Sequence, residues 1–292
     1  MRYFEKRPML ILIIGILGIS LSSIFVKFSP APSVVTAAWR LGWTVILMTP
    51  AVFLRKEVRG ELLSVSGTTA LLSVASGICL AIHFATWFES LKLTSVASST
   101  TIVCTEVIWV CLGYCLFLSG KITPKAALAI AVTLLGSVLV AWSDSARGHG
   151  LRGDLLALAA AVAVAVYTLL GRIVRSKAST TVYTYLVYTA CTTVLLIMCA
   201  VQGHGLTGWG VGAPLVGLLL AVFSTILGHS IFSWCLKFFS PTFVSASKLC
   251  EPVVAAFLAG FLFGEFPAPV QLLGGILILG GVVFYSWLET KT

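Results

Sequence analysis

Apolar residues fill ten blocks of the chain, at 9–27, 32–54, 67–89, 95–118, 124–142, 154–174, 181–201, 212–236, 242–263 and 268–288. A helix needs about 20 apolar residues to cross a bilayer, so each block predicts a transmembrane helix. The breaks between blocks are mostly short, and only residues 90–94 separate the third span from the fourth. Prolines 8, 32, 124, 241, 267 and 269 stand at or near predicted helix starts, where a missing N–H costs little. Met1 to Pro8 is a short basic head. The apolar block after it is long enough to persist as a helix, so no cleavable signal is expected.

One buried acidic segment occurs twice. Leu91-Lys92, Glu106, Pro124, Gly136 and Trp142 recur 145 residues later as Leu236-Lys237, Glu251, Pro269, Gly281 and Trp287, with no gap. The polar stretch Ser143 to Gly153 divides the chain into a first repeat at 1–143 and a second at 154–292, joined by a linker at 144–153. Each repeat holds five spans. Five is odd, so the second repeat enters the membrane in the opposite direction. The predicted fold is therefore an all-α polytopic membrane protein of ten transmembrane helices, built as two inverted five-helix repeats. Such repeats suit alternating access, with a substrate site near the midplane. The plainer reading is a duplication kept for packing alone.

Composition agrees with burial in lipid. The chain is 59% hydrophobic and 10% charged, with mean hydropathy +1.05, whereas a soluble domain carries about 25% charged residues. A net charge of +9 then reports topology and calls for no nucleic acid. With the N-terminus inside, thirteen Lys and Arg fall on the cytoplasmic side and four outside (Lys27, Lys92, Arg147, Arg152). That imbalance places both termini in the cytoplasm of a multi-pass cell-membrane protein. The eight cysteines all lie in apolar segments without His companions at a usable spacing, and read as small packing residues. No metal or cofactor is expected.

The candidate chemistry is the charge left within the spans. Glu106 and Glu251 stand near mid-bilayer, where an ionisable residue marks a functional site or a buried pair. Lys248 is three residues before Glu251 and shares its helical face, so a closed Lys248–Glu251 pair is the bland alternative. Arg40 completes two cations and two anions, a balance that suits a zwitterion. As the bland reading, Arg40 anchors backbone carbonyls. Trp109 shares the face of Glu106, and Tyr167, Tyr185 and Tyr188 lie in the sixth and seventh spans. An aromatic face beside a carboxylate makes a cation site. Trp39, Trp43 and Trp87 read first as an interfacial belt. His83 and His229 read first as helix–helix contacts, with a proton relay as the functional alternative. Glu89 and Lys92 read as a surface pair. The predicted substrate-binding set is Glu106, Trp109, Lys248, Glu251, Tyr167, Arg40 and His83. Small residues at Gly15 and Gly18, at Ala256, Gly260 and Gly264, and at Gly274, Gly275, Gly280 and Gly281 mark packing seams.

In their order, several motifs resemble the EamA-type carriers of the drug/metabolite transporter superfamily. They are the passage from His83 to Ser99, Gly228 through Lys237, Glu251-Pro252, Phe261 to Glu265, Gly274-Gly275 and Gly280-Gly281, with Arg40 in the second span. The resemblance implies a ten-helix carrier of small metabolites whose fifth and tenth helices stand at the periphery and can pair protomers as a homodimer. The Glu-Pro of the ninth span recurs among carriers of different substrates, which implies a general role for Glu251 and leaves Glu106 the more informative acid. The chain departs from the family where Val107, not proline, follows Glu106, and where Ser119-Gly120-Lys121 replaces Gly-Glu. The fourth span is therefore expected to be straighter than the ninth.

The expected function is secondary transport of a small amine, amino acid or related cationic or zwitterionic metabolite by alternating access, with protons as a candidate coupling ion. The alternative is an exchanger of anionic or nucleotide-like solutes that uses Lys248 and Arg40. An enzyme is not expected: Gly228-His229-Ser230 resembles a nucleophile turn only superficially.

Overall fold

The computed structural model describes residues 7–94, 96–144, 151–251, 253, 254, 258 and 269–289. The small-residue seam at 256–264, Pro252, the Gly264-Glu265 pair and most of the linker lie outside the described residues. Among the described residues all regular structure is helical. The elements are α1 (Pro8–Ser20), α2 (Ser22–Lys27), α3 (Ser33–Phe53), α4 (Lys56–Leu63), α5 (Gly67–Leu93), α6 (Val96–Cys104), α7 (Glu106–Phe117), α8 (Pro124–Asp144), α9 (Leu151–Arg175) and α10 (Thr180–Val201). After α11 (Gly212–Leu219) come a π-helix (Leu220–His229), α12 (Ser230–Cys235), α13 (Pro241–Ser247), a 3₁₀ turn (Lys248–Cys250) and α14 (Pro269–Glu289).

Local sequence accounts for many helix ends. Pro8, Pro124, Pro241 and Pro269 begin helices, where no N–H partner is needed. Ser66, Ser179 and Ser240 accept from the backbone N–H groups of Thr69, Val182 and Phe243 at 3.3, 3.3 and 3.1 Å, which satisfies donors that a helix start leaves free. Six described helical stretches are long and apolar enough to span a bilayer: Pro8–Lys27, Ser33–Phe53, Gly67–Leu93, Leu151–Arg175, Thr180–Val201 and Gly212–Cys235. Shorter apolar helices occupy Ile102–Phe117, Pro124–Leu139 and Leu272–Leu288. Large apolar side chains point outward, with Phe117 81% and Val283 68% exposed. A water-facing surface seldom carries such a patch, so the protein is a multi-pass membrane protein whose outer faces meet lipid.

Two apolar cores form. One gathers side chains of α3, α5, α9 and α10, including Leu41, Phe84, Tyr183 and Leu195. The other joins α1, α8, α12, α13 and α14 through Leu12, Ile130, Phe243 and Ile278. The repeat shows in the elements, since Gly67 and Gly212, Val96 and Pro241, and Pro124 and Pro269 start helices 145 residues apart. It also shows in contacts between α8 and α14. A Cβ on Gly136 would lie 2.6 Å from the Gly274 carbonyl and 2.9 Å from Ile278. One on Gly281 would meet Ala129 and Thr133, the residues 145 positions before Gly274 and Ile278. The glycines at 136 and 281 thus hold the fifth and tenth spans against each other within one chain.

Three spans bend where their hydrogen-bond ladders change. The fourth span is interrupted although it lacks a proline, and the comparison with the ninth falls largely outside the described residues. The Thr105 N–H bonds to the Ile102 carbonyl at 3.0 Å, and the Ile108 N–H to the Thr105 carbonyl at 2.9 Å. These three-residue steps separate α6 from α7 without any proline, helped by a 2.6 Å bond from the Thr105 hydroxyl to the Ile102 carbonyl. In the ninth span the 3₁₀ turn occupies the matching place. The eighth span carries the π-helix, a form that concentrates at functional sites.

The π-helix seats the first span through Gly18. A Cβ there would come within 2.6 Å of the Phe223 carbonyl oxygen and 2.8 Å of that of Leu227, and backbone cannot step aside. We expect Gly18→Ala to destabilise the protein by about 1–3 kcal/mol. Gly42→Ala, with nothing within 4 Å of its Cβ, should be neutral or stabilise by up to about 1 kcal/mol. Thermal unfolding in detergent distinguishes the two.

Candidate functional site

Where the bends converge, the structure encloses a cavity of about 30 Å³ lined by Ile19, His83, Trp87, Thr100, Val103, Cys104, Glu106, Val164, His229, Ser245, Lys248 and Glu251. Eight of these twelve form four pairs 145 residues apart: Ile19 with Val164, Thr100 with Ser245, Val103 with Lys248, and Glu106 with Glu251. The two repeats therefore line one cavity with equivalent positions. Its volume admits about two water molecules, well below the roughly 300 Å³ at the lower end for small-molecule pockets.

The break at Thr105 places Glu106 in the first turn of α7, and the 3₁₀ turn carries Lys248 to the opposite wall. The Lys248 Nζ donates to Glu106 Oε1 at 2.8 Å, with both side chains buried. The bland alternative, a closed Lys248–Glu251 pair, thus gives way to a pair between the two halves. The lysine stem reaches across to the other half, and spacing within one helix does not register that reach. Glu251 Oε1 is buried and has no hydrogen-bond partner among the described residues.

Other polar atoms on the cavity wall share that condition. Trp87 Nε1, Thr100 Oγ1, Ser245 Oγ and His229 Nδ1 are buried without a partner among the described residues. Buried polar atoms are nearly always paired, so five such atoms give this cavity a polar wall. The set holds a pure acceptor in the carboxylate, a pure donor in the indole, and two hydroxyls and an imidazole nitrogen able to do either. His83 Nδ1 lies 3.0 Å from the Ala160 carbonyl. A carbonyl only accepts, so Nδ1 carries the proton and the ring holds α5 to α9. The His83 ring stacks on Trp87 at 5.7 Å and meets His229 edge-on at 6.3 Å.

Of the predicted binding residues, Glu106, Lys248, Glu251 and His83 come together here. Arg40 does not line the cavity. Its Nε donates to Thr225 Oγ1 at 2.8 Å and its Nη1 to Ser22 Oγ at 3.0 Å, while its Cζ lies 4.2 Å from the centroid of the Phe84 ring. It anchors hydroxyls and an aromatic face, not backbone carbonyls. Tyr167 stands behind the wall and shares a 2.8 Å hydrogen bond with Ser233. Trp109 is 37% exposed on the outer surface. Both stand in α7, where a separation of three residues still leaves about 60° between side chains, and that angle takes the Trp109 ring past the cavity to the outer surface. Trp87 reverses the belt reading: it is buried at the cavity. Trp39 and Trp43 donate to the carbonyls of Leu206 and Pro214 at 3.1 and 3.0 Å. Thr100 and Ser245 were not singled out from sequence, although shifting polar residues by 145 finds them as a pair.

The two ends of the bundle differ. At the end near the linker, a second cavity of about 670 Å³ opens among the starts of α3 and α9, the end of α5 and the segment after α10. Glu89, Lys92, Arg152 and His204 line it. Lys92 donates to the Ala31 carbonyl at 3.3 Å and forms no ion pair with Glu89 among the described residues. At the opposite end, Arg172 donates to the carbonyls of Leu236 and Phe239, and Arg175 to those of Ser233 and Ala178. Apart from the local bond to Ala178, these tie the last turn of α9 to α12 and the chain leaving it. Among the described residues no group of three or more His, Cys, Asp or Glu side chains assembles as a metal site.

With the geometry in view, similarity to known proteins can be placed on it. Residues 151–287 match the EamA-like transporter family. An uncharacterized transporter of Bacillus subtilis (strain 168), YdfC, is 23% identical over 154 residues, which cover 52% of this chain and 50% of that protein. The matched stretch thus spans about half the length of that relative. One solved crystal structure of a protein superposes with a TM-score of 0.78 at 19% identity, over 98% of each chain, and so shares the fold.

Removing one partner of a buried ion pair leaves the other charge uncompensated. Glu106→Gln or Lys248→Met alone should destabilise by about 3–5 kcal/mol, and the double variant should recover most of that. Unfolding midpoints in detergent provide the check. A double variant as damaged as the sum of the singles would show that the two side chains are uncoupled.

Proposed function

Taking the chain as a transporter of the EamA type, we propose that it is a ten-span carrier with inverted repeats that moves a small amine, amino acid or related metabolite by alternating access. The observation that carries this reading is the cavity lined by equivalent positions of both repeats, with a carboxylate oxygen and several donors lacking partners. An ammonium group suits Glu251, and an acceptor group on the same solute suits the Trp87 indole and the Thr100 and Ser245 hydroxyls. The reciprocal Gly136 and Gly281 contacts support the two-fold relation of the repeats. The tied end at Arg172 and Arg175 and the open vestibule at the linker end support one-sided access. The cavity must widen to hold an organic solute, so cargo binding requires the halves to move apart. The anionic alternative loses support, because Arg40 lies off the cavity and Lys248 is occupied by Glu106.

Purified protein screened by thermal shift against amines, amino acids, nucleosides and organic acids tests the reading. Binding to the folded state raises the melting temperature with ligand excess. We expect hits among cationic or zwitterionic solutes, and uptake of the same solutes in proteoliposomes. Hits confined to organic acids or nucleotides would replace this reading with the anionic one.

One-sided access gives a further expectation. Arg172→Gln removes two bonds that close the end opposite the vestibule. A cysteine at Ser233 should then react several-fold faster with a polar thiol reagent added from that side. An unchanged rate would mean that Arg172 does not hold the closure.

A further inference from the structure

The cavity contains two carboxylates and one ammonium, and the sequence repeat explains the odd number. Lys248 is the counterpart of Val103, so the first half contributes a carboxylate alone and the second a carboxylate with a lysine. The lysine lies 2.8 Å from the carboxylate of the other half, which leaves Glu251 Oε1 buried and without a partner among the described residues. The remaining titratable groups at the cavity supply no second fixed cation. His83 bonds to a carbonyl, His229 faces it with a partnerless Nδ1, and Cys104 is a free thiol. Arg40 is held away by Thr225 and Ser22.

We infer that Lys248 is a built-in counter-cation for Glu106, and that it sets the charge of the cargo by leaving Glu251 as receptor for a single positive group. The inference rests on the amine-carrier reading and makes it quantitative. With Lys248 in place the cavity accepts one ammonium. Without it, Glu106 and Glu251 both face the guest, and a solute with two ammonium groups fits better. The lysine excludes dications by repulsion and by occupying their second carboxylate, which is discrimination by an unfavourable contact.

The test uses the full chain and three four-carbon probes: butylamine, butane-1,4-diamine and uncharged butanol. Thermal shift or calorimetry gives apparent Kd values. Wild-type protein should bind the monoamine in preference to the diamine, and Lys248→Met should reverse that order, with a change of about tenfold or more in the ratio. Glu251→Gln should lose monoamine binding. Lys248→Met strips the partner from a buried carboxylate and can fail to fold, so Val103→Lys is the second variant. It supplies Glu251 with the cation that the repeat gives only to Glu106, and it should stay folded and lose the monoamine.

A preference unmoved in Lys248→Met, or monoamine affinity unchanged in Val103→Lys, overturns the inference while the amine-carrier reading stands. So does monoamine binding that survives Glu251→Gln and vanishes in Glu106→Gln. If no amine or amino acid binds wild type or any variant, the carrier reading itself fails, and the inference fails with it.

Discussion

The ion pair between Glu106 and Lys248 is the constraint around which the centre of the molecule is arranged. A carboxylate or an ammonium alone at this depth is costly, and together they are tolerated when the geometry is close. The pair joins α7 to the 3₁₀ turn of the ninth span, so the two halves of the chain share one electrostatic contact. Because a single lysine serves two acids, the contact also creates an imbalance: the second acid borders the cavity with an oxygen that has no hydrogen-bond partner among the described residues. The contact between the halves and the charge of the cavity wall therefore come from the same three side chains.

Those side chains face one another because the helices that carry them are irregular. A regular α-helix satisfies its own backbone and directs side chains at fixed intervals. The step at Thr105, the 3₁₀ turn at 248–250 and the π-helix at 220–229 each re-aim a segment near the cavity. Membranes tolerate such backbone only where protein or a water-lined cavity covers it. Arg40 braces the π-helix through Thr225, whose hydroxyl also donates to the Leu220 carbonyl at 3.2 Å. A charge outside the cavity thus supports the backbone that positions His229 within it.

Around this centre, equivalent positions of the repeat play similar parts in helix packing and different parts at the two ends of the bundle. Gly136 and Gly281 each press on the other's helix. Arg172, the counterpart of Lys27, holds carbonyls at one end, whereas Lys27 is exposed at the other. The two ends of the bundle thus differ, one tied by arginine–carbonyl bonds and the other open.

The sequence by itself determined the helical class and most of the helix starts, because apolar block length and proline placement act locally. It also determined the 145-residue repeat, and with it Glu106 and Glu251 as counterparts. Tertiary structure alone decided that Lys248 joins the distant Glu106 and not its neighbour Glu251. It likewise decided that Trp87 faces the cavity while Trp109 faces outward, and that Arg40 belongs to a brace. These outcomes depend on where helices break and which helix stands opposite. Spacing along one segment records the face of an ideal helix, and it is blind to what stands opposite that face or to a long side chain that crosses to another half.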